Sequence, residues 1–298
     1  MFAKRLTTDS IHIGTPAKVN LFLQVLGKRP DGYHDINSLF QAVSLFDRLK
    51  FTLVKGKPGI QINLTRPSKL ELDDSNLIAQ AYHLMQDRFG LESGLEVELE
   101  KNIPIAAGLA GGSADAAATI LACVALFDLP LSFGEMAELG LEIGSDLPFF
   151  FTRGQALIGG RGEKITQTDF PTDYWLILVT PNIAISTGTS YAALGLGLTK
   201  AAQPFSLNRS ETVVGLIDNL RQTGNDFEEV HLRSFPILGR IKDGLLDDGA
   251  LLARMSGSGP TVFGIYMDAP VLVSNMKFGQ DSLPAVVVRP VTLPVRLL

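Results

Sequence analysis

The chain has 298 residues, with 26 Lys or Arg against 31 Asp or Glu, which gives a formal net charge of −5. With 46% hydrophobic and 19% charged residues, it is too apolar for a disordered chain and too acidic for a protein that coats nucleic acid. This length suggests two domains, each large enough to bury its own core.

The cysteine content and the apolar runs indicate the compartment. Cys123 is the single cysteine, which excludes an intramolecular disulfide and a zinc site with several cysteine ligands. The apolar run around Ala116 is interrupted at Thr119 and ends at Asp128, short of the roughly 18 residues that a membrane span needs. The N-terminal residues lack the apolar core and cleavage site of a signal peptide. We therefore expect a cytoplasmic protein with no membrane or nucleic-acid partner.

Strand-like alternation and helix-like periodicity are mixed along the chain. The strand-like runs are 17–25, 95–100, 175–180 and 261–266, and the helix-like runs are 76–88, 114–127 and 211–221. The polar, glycine-rich segment 159–173 precedes a strand-like run and is the best candidate for a domain boundary. The pattern predicts a mixture of helices and strands, divided into domains 1–165 and 166–298.

The first predicted strand places two polar residues on one face. Its apolar residues alternate from Ala17 to Val25, so Lys18 and Asn20 share the opposite face. Ordinary alternation on a solvent-facing strand is one interpretation, although Phe22 on the same face argues for partial cover. A turn, Pro-Asp-Gly, then delivers Tyr33 and His34 side by side, which a plain surface turn also does.

The second predicted strand leads into a glycine-rich loop. In 95–100 the apolar residues Leu95, Val97 and Leu99 alternate with glutamates, as on a half-buried strand. The loop 104–112, PIAAGLAGG, leads into a helix for which we expect Ser113 as N-cap and Asp115 in the first turn. Glycines let backbone N–H groups point inward, and a helix N-terminus adds unpaired N–H groups and a positive dipole end. This arrangement favours phosphate binding.

Other interpretations of this loop are open. No lysine follows Gly112, so it is not a Walker A loop, and the spacing does not fit a dinucleotide fingerprint. The small residues could instead merely permit close helix packing. A nucleophilic serine elbow is weaker, because Asp115 replaces its final glycine and a triad histidine must come from four residues, His12, His34, His83 and His231.

Asp146 is a lone carboxylate between a glycine-containing segment and the apolar run Leu-Pro-Phe-Phe-Phe. Capping a short helical turn begun before Pro148 and acting in catalysis are equally compatible with this position. A carboxylate beside a lysine has its ionised form favoured, and it could accept or orient a hydroxyl proton.

Three segments together resemble the three motifs of the GHMP kinase superfamily. They are PAKVNLFLQVLGKRPDGYH at 16–34, PIAAGLAGGSADAAA at 104–118 and RMSGSGPTVF at 254–263. Their order and intervals match over nearly the whole chain. The resemblance implies a two-domain α+β fold, with an N-terminal domain like ribosomal protein S5, a ferredoxin-like C-terminal domain and the active site in the cleft between them.

Within the superfamily, Lys18, Asn20, Asp31 to His34 and the segment 144–148 resemble the members that act on a cytidine diphosphate derivative of methylerythritol in the non-mevalonate isoprenoid pathway. The resemblance implies ATP- and Mg²⁺-dependent phosphorylation of the 2-hydroxyl of that acceptor, by a monomer or homodimer. Alternatives are another GHMP kinase acting on homoserine, mevalonate or a sugar, and a non-catalytic nucleotide-binding regulator. Tyr33 and His34 favour the cytidine acceptor, and the presence of Lys18 and Asp146 argues against a regulator.

The resemblance also assigns residues to roles. Asp146 is expected to take or orient the hydroxyl proton, and Lys18 to hold the aspartate and the reacting oxygen. Asn20 is expected to contact the erythritol, His34 the cytosine edge, Tyr33 the nucleoside, and Tyr191 the other face of the base. The expected ATP contacts are Asn76 at the adenine and, around the phosphates, Pro104, Ile105, Ala106, Ala107, Gly108, Leu109, Ala110, Gly111, Gly112, Ser113 and Ala114, with the Ser113 hydroxyl placed to reach a phosphate or Mg²⁺. The segment 256–259 is the third motif, beneath the site.

This chain departs from the superfamily pattern at two positions. Ala110 stands where glycine is usual, so the loop must seat it in an ordinary backbone region or accept strain. Ala114 stands where serine is frequent, which removes one hydroxyl donor to a phosphate. The affinity for ATP could therefore be altered.

Overall fold

The computed structural model describes residues 9–195, 203–271, 275–292 and 296–297. Its strands are β1 (Ser10–Lys28), β2 (His34–Val54), β3 (Ile60–Leu64), β4 (Gly94–Glu100), β5 (Gln155–Gly160), β6 (Lys164–Gln167), β7 (Trp175–Val179), β8 (Leu252–Met255), β9 (Val262–Tyr266), β10 (Asn275–Phe278), β11 (Asp281–Val288) and β12 (Arg296–Leu297). Its helices are α1 (Leu77–Phe89), α2 (Gly111–Leu126), α3 (Phe133–Ile143), α4 (Thr187–Ala193), α5 (Val213–Arg221), α6 (Asp226–Ser234) and α7 (Pro236–Asp247), with a 3₁₀ turn at Leu147–Phe151. The described helices include none with the length and apolar character of a membrane crossing.

The first sheet contains the strands before residue 170 together with β12. Its order is β12-β1-β2-β4-β3, and β5 pairs with both β2 and β6. The long strands β1 and β2 are antiparallel, whereas β3 is parallel to β4. As the alternation predicted, Leu95, Val97 and Leu99 are buried, in a core that also holds the apolar faces of α1 and α2.

The second sheet has the order β10-β11-β7-β9-β8. Helices α6 and α7 cover one face, where Leu238, Ile241 and Leu245 pack with the strand residues Ile177 and Val262. Together the two sheets confirm the predicted mixed α+β class.

Sheet membership bears on the proposed domain boundary. Strand β6 belongs to the first sheet and β7 to the second, so we propose a division between Gln167 and Trp175 rather than at 165/166. The chain end also departs from a simple two-part division, because Leu297 in β12 pairs with Ile13 in β1. The last strand therefore lies with the first sheet.

The two domains meet along the second half of β1. The backbone N–H of Leu23 donates to Gly224 O at 2.9 Å, and the N–H of Val25 donates to the Asp226 carboxylate at 2.7 Å. From β8, the buried Arg254 guanidinium donates to Leu21 O at 2.6 Å. These bonds fix the strand that carries Lys18 and Asn20 against the second domain.

Candidate active site

A cleft of about 520 Å³ opens between the two domains. From the first domain it is lined by Lys18, Asp146 and most of the glycine-rich loop, and from the second by Tyr191, Phe227 and Ser258. The cleft therefore brings together residues that are far apart in the sequence.

Lys18 and Asp146 face each other in this cleft. The Lys18 Nζ lies 3.3 Å from Asp146 Oδ2, donates to Asn20 Oδ1 at 2.6 Å and sits 4.3 Å from the centre of the Phe40 ring. The lysine side chain is 3% exposed, whereas the aspartate is 34% exposed. The cation is thus held in place, and the carboxylate remains accessible to a group in the cleft.

The local structure explains the position of Asp146. It immediately precedes the 3₁₀ turn, whose residues Leu147, Pro148, Phe149 and Phe150 are buried in the first core. The Asp146 side chain makes no capping hydrogen bond. These buried residues hold the segment so that the Asp146 carboxylate faces Lys18. Asp146 does not cap the turn with its side chain, although its position allowed this role.

Asn20 connects β1 to the loops around it. Its Nδ2 donates to Ser38 Oγ at 3.0 Å, and the Ser38 hydroxyl donates to Phe22 O. Its backbone N–H donates to Ser256 Oγ at 3.3 Å, and that hydroxyl donates to Gly108 O at 2.9 Å. Ser256 thereby joins the first strand, the glycine-rich loop and the third motif. Nothing in the sequence around Ser38 singled it out.

The glycine-rich loop alternates between ordinary and left-handed backbone. Ala106, Gly108 and Ala110 have φ of 51°, 74° and 53°. At Gly108 an added Cβ would lie 2.1 Å from Ser256 O, so glycine is required there both for its φ and for the close approach of the third motif. Ala110 therefore has a strained, left-handed backbone, which was one of the two alternatives expected for this position.

The start of α2 differs from the prediction. The helix begins at Gly111, the N-cap position is taken by Ala110 without a side-chain hydrogen bond, and Ser113 is the third helical residue, so the expectation of Ser113 as N-cap is wrong. The reason is that left-handed Ala110 turns the chain straight into the helix, with its carbonyl accepting the N–H of Ala114 at 3.0 Å. The N–H groups of Gly111, Gly112 and Ser113 then have no intrahelical partner, and these residues line the cleft.

Asp115 is likewise not in the first turn but buried beneath the loop. It accepts from Thr15 Oγ1 at 2.8 Å and from Lys101 Nζ at 2.9 Å. Lys101 also pairs with buried Asp47, which accepts the N–H of Ile103 at 2.8 Å. Burial raises the pKa of Asp115 to about 7 although the Lys101 charge opposes the shift. No local sequence pattern identifies this cluster, which ties β1, β2 and α2 together at the base of the loop.

Most residues predicted to bind ATP line the cleft, and three do not. Leu109 and Ala114 are buried in the cores, where Leu109 O accepts the N–H of Lys18 and the N–H of Ala114 is donated to Ala110 O. Asn76 caps α1: its Oδ1 accepts the N–H of Ile78 at 2.9 Å, and its Nδ2 donates to Glu71 O at 2.7 Å. Near this helix start the cleft is lined by Leu70 and Leu77, an apolar surface that the sequence analysis did not identify.

Aromatic rings cluster at the other end of the site. The His34 ring stacks on Tyr191 with centroids 4.4 Å apart, and Tyr191 meets Phe227 edge to face at 4.9 Å. Tyr33 is half exposed, with the Arg161 guanidinium 4.7 Å from the centre of its ring. Burial and the nearby charge of Lys28 lower the pKa of His34, so its imidazole is neutral at pH 7 and offers one donor and one acceptor.

Tyr191 joins the cleft to the aromatic cluster, because it lines the cleft with Asp146 and stacks on His34. Burial, together with the negative charge of Asp146, raises the pKa of Tyr191 to about 12. The Tyr191 phenol therefore stays protonated at neutral pH. Lys18, Asp146 and Tyr191 thus line one cleft, and His34 is stacked on Tyr191.

Comparisons with known proteins agree with this geometry. The GHMP kinases N terminal domain matches residues 76–154, and the GHMP kinases C terminal domain matches residues 208–278. A 4-diphosphocytidyl-2-C-methyl-D-erythritol kinase from Syntrophotalea carbinolica is 40% identical over 85% of this chain and 88% of its own.

Solved structures are similar as well. The crystal structure of a 4-(cytidine 5'-diphospho)-2C-methyl-D-erythritol kinase superposes with a TM-score of 0.67 at 30% identity, over 86% of this chain and 90% of that chain. A homoserine kinase from Cytophaga hutchinsonii has a TM-score of 0.71 at 16% identity, with both chains fully covered, which shows the shared fold alone. The chain belongs to the GHMP kinases and, within them, to the 4-diphosphocytidyl-2-C-methyl-D-erythritol kinase family.

Proposed function

We propose that this enzyme transfers the γ-phosphoryl group of ATP to the 2-hydroxyl of 4-diphosphocytidyl-2-C-methyl-D-erythritol, giving the 2-phosphate and ADP. The observation that carries the proposal is the Lys18 and Asp146 pair, 3.3 Å apart, in the same cleft as the glycine-rich loop. Phosphoryl transfer needs positioned phosphates, neutralised charge and an oriented hydroxyl rather than a covalent intermediate. The cleft offers groups for each of these requirements.

The loop and the start of α2 hold the triphosphate. The unpaired N–H groups of Gly111, Gly112 and Ser113 lie at the positive end of the helix dipole and line the cleft. Donors of this kind need no rearrangement when charge develops on the transferred group. The apolar wall formed by Leu70 and Leu77 provides a surface for the adenine, next to the predicted contact at Asn76.

Lys18 and Asp146 act on the acceptor alcohol. The Asp146 carboxylate accepts the hydrogen bond of the 2-hydroxyl, which aims the oxygen at the terminal phosphorus, and it takes or polarises the proton as the bond to phosphorus forms. The Lys18 ammonium stabilises both the carboxylate and the oxygen that loses its proton. Because Asn20 and Phe40 hold the ammonium, it does not have to be reoriented during the reaction.

Mg²⁺ fits this donor set as a companion of ATP. Among the described residues no cluster of three or more His, Cys, Asp or Glu side chains could hold a metal ion. Magnesium, however, is usually held through substrate phosphates with few protein ligands. Ser113, in the cleft at the helix start, would supply the protein oxygen, and the bound ion would neutralise phosphate charge.

The aromatic cluster holds the cytidine end of the acceptor. His34, neutral at pH 7, matches a cytosine edge, which presents both a donor and an acceptor, and Tyr33 has an exposed ring for the nucleoside. The Tyr191 ring is stacked directly on His34, so the ring expected to cover the other face of the base lies next to the imidazole expected to bind the cytosine edge.

We place this reaction in the cytoplasm. The lone thiol, Cys123, is free and buried, which fits a reducing compartment, and the enzyme consumes ATP. A monomer or homodimer suffices, because the groups assigned here all come from one chain.

An ADP-release assay with a panel of acceptors tests the proposal. We expect turnover with 4-diphosphocytidyl-2-C-methyl-D-erythritol and at least 100-fold lower kcat/KM with homoserine, mevalonate and galactose. Preferential turnover of one of the other acceptors would overturn the substrate assignment. ATP binding without ADP release on any acceptor would indicate the non-catalytic regulator.

A further inference from the structure

Ser38 on β2 lies at the far end of a chain of buried hydrogen bonds that leads to Lys18. The Lys18 ammonium donates to Asn20 Oδ1 at 2.6 Å, the Asn20 Nδ2 donates to Ser38 Oγ at 3.0 Å, and the Ser38 hydroxyl donates to Phe22 O. All three side chains are buried, and hydrogen bonds in such an interior are stronger than in water. The function proposed above uses Lys18 and Asn20 but leaves the Ser38 hydroxyl without a role.

The Phe22 carbonyl fixes the direction of this chain of bonds. A carbonyl oxygen only accepts, so the single hydroxyl proton of Ser38 is committed to it. Ser38 Oγ then presents only lone pairs to Asn20, and the amide therefore turns its NH₂ group towards the serine. The Asn20 Oδ1 is left on the opposite branch of the amide, where it accepts from the Lys18 ammonium.

The reversed orientation of the Asn20 amide is incompatible with the ammonium. With the two branches exchanged, Nδ2 would face Lys18 Nζ, and two donors would meet at 2.6 Å. Lys18 would then move away from Asn20, which would change its 3.3 Å contact with Asp146 and its position over the Phe40 ring. The Ser38 hydroxyl excludes this orientation from the side of the amide opposite to the lysine.

A β-bulge explains why a hydroxyl is needed at this place. Leu21 is an extra residue of β1 in its pairing with β2. A bulge takes backbone groups out of the regular ladder and changes the direction of neighbouring side chains. Two carbonyls at the bulge accept from side chains, Leu21 O from Arg254 at 2.6 Å and Phe22 O from Ser38. One serine hydroxyl therefore both satisfies the backbone of the bulge and orients the Asn20 side chain.

We infer that Ser38 is a positioning residue, whose hydroxyl sets the orientation of the Asn20 amide and thereby holds the Lys18 ammonium against Asp146. The inference rests on the proposed function, since it takes Lys18 as the cation that acts on the acceptor alcohol. Ser38 itself is fully buried and does not line the cleft, so it acts only through Asn20. Its effect belongs to the rate of phosphoryl transfer and not to the binding of ATP.

Replacement of Ser38 by threonine and by cysteine separates hydrogen bonding from packing. Ser38→Thr keeps the hydroxyl and adds a methyl group, whereas Ser38→Cys keeps the shape but offers only a weak donor and acceptor. With both substrates saturating, and with rates expressed per folded molecule, we expect kcat within about threefold of wild type for Ser38→Thr and about 10- to 100-fold lower for Ser38→Cys. The KM for ATP should be unchanged in both variants.

Ser44→Ala is the matched control for these variants. It removes another hydroxyl of β2, which accepts the N–H of Arg289, and it should keep the wild-type kcat. A kcat near that of wild type in Ser38→Cys, with Ser38→Thr impaired, would show that Ser38 only fills space and would overturn the inference.

A double-mutant cycle tests whether Ser38 acts through the Asn20 amide. In an Asn20→Ala background there is no amide to orient, so adding Ser38→Cys should change kcat by less than about twofold. Losses that multiply would show that Ser38 acts on the fold in general and would overturn the inference. All rates are ratios to wild type with the acceptor that wild type turns over, so a wrong substrate assignment would be seen separately in the acceptor panel.

Discussion

Gly108 allows the glycine-rich loop to pack closely against Ser256 of the third motif, and Ser256 in turn bonds to Asn20 in β1. Replacing it with alanine places a Cβ 2.1 Å from the backbone oxygen of Ser256, at a residue with φ of 74°. The left-handed backbone costs about 1–2 kcal/mol for a residue with a Cβ. Relieving the overlap with Ser256 O adds about 1–3 kcal/mol to this cost. Alanine also restricts the unfolded chain more than glycine does, which offsets about 0.4–1 kcal/mol of the total. We expect a loss of roughly 3 kcal/mol in the free energy of unfolding.

The same substitution should impair ATP use more than protein folding. Moving the loop away from Ser256 breaks the bond from its hydroxyl to Gly108 O and loosens the bond from the Asn20 N–H. Since a misplacement of about 1 Å can cost 100-fold in rate, kcat/KM for ATP should fall by about that factor. Urea unfolding and initial-rate kinetics measure the two effects.

Gly90→Ala provides the matched control for Gly108→Ala. Gly90 has a similar φ of 64° but nothing within 4 Å of an added Cβ, so it measures the backbone strain without the overlap. Its loss should be smaller by about 1–3 kcal/mol, and its ATP kinetics should be those of the wild type. Equal losses in the two variants, with normal ATP kinetics in Gly108→Ala, would refute the reasoning.

Three further predictions concern Ala110 in the loop, Asp115 in the buried cluster, and His34 at the cytidine end of the site. Ala110→Gly should raise the free energy of unfolding by up to about 1 kcal/mol in urea titrations, because it relieves a left-handed alanine; a destabilisation would contradict the strain. The folded-state pKa of Asp115, about 7, lies above its ordinary value of 3.8, so ionisation of this carboxyl increasingly favours the unfolded state as pH rises from about 4 to 7, and the effect is constant above. The stability of wild type minus that of Asp115→Asn, from urea unfolding at pH 5 to 8, should therefore fall with pH and level off; a flat difference would contradict the shift. His34→Ala should raise the KM for the cytidine acceptor about tenfold in steady-state assays, because the hydrogen bonds to the base are lost. An unchanged KM would contradict the proposed contact of His34 with the cytosine.

Local pattern was sufficient for the parts of the fold that depend on periodicity. Alternation in 95–100 predicted a strand with Leu95, Val97 and Leu99 inward, and these residues are buried. The loop between this strand and α2 was also predicted, because glycine has few reasons to cluster outside a turn or a close approach. These features depend on neighbours in sequence, so one segment carries the information.

Features set by tertiary packing could not be predicted in the same way. Ser113 satisfies the usual rule for an N-cap, but the backbone of Ala110 begins the helix earlier, and only the fold shows that Ala110 is left-handed. Asp115 was expected in the first turn of the helix, whereas it is buried and accepts hydrogen bonds from Thr15 in β1 and from Lys101, the residue after β4. Burial of an ion pair depends on partners distant in sequence, which neither propensity nor periodicity reports.

The candidate site shows both situations. The local sequence alone favoured a solvent-facing strand for Lys18 and Asn20 over a site, whereas the structure buries both residues. The approach of Asp146 to Lys18 and the stacking of Tyr191 on His34 bring together residues from separate elements. The superfamily resemblance assigned these residues to one site, but their contacts with each other became visible only in the fold.

The rate of phosphoryl transfer in Asp146→Asn tests the central claim most directly. With ATP and the cytidine acceptor both saturating, the account predicts a kcat lower by about 100- to 10,000-fold, because the amide cannot take the hydroxyl proton, and an ATP affinity within about threefold of wild type. The exposed Asp169→Asn is the control and should keep the full rate. A kcat for Asp146→Asn within tenfold of wild type would contradict the account, since the carboxylate beside Lys18 would then not act on the acceptor.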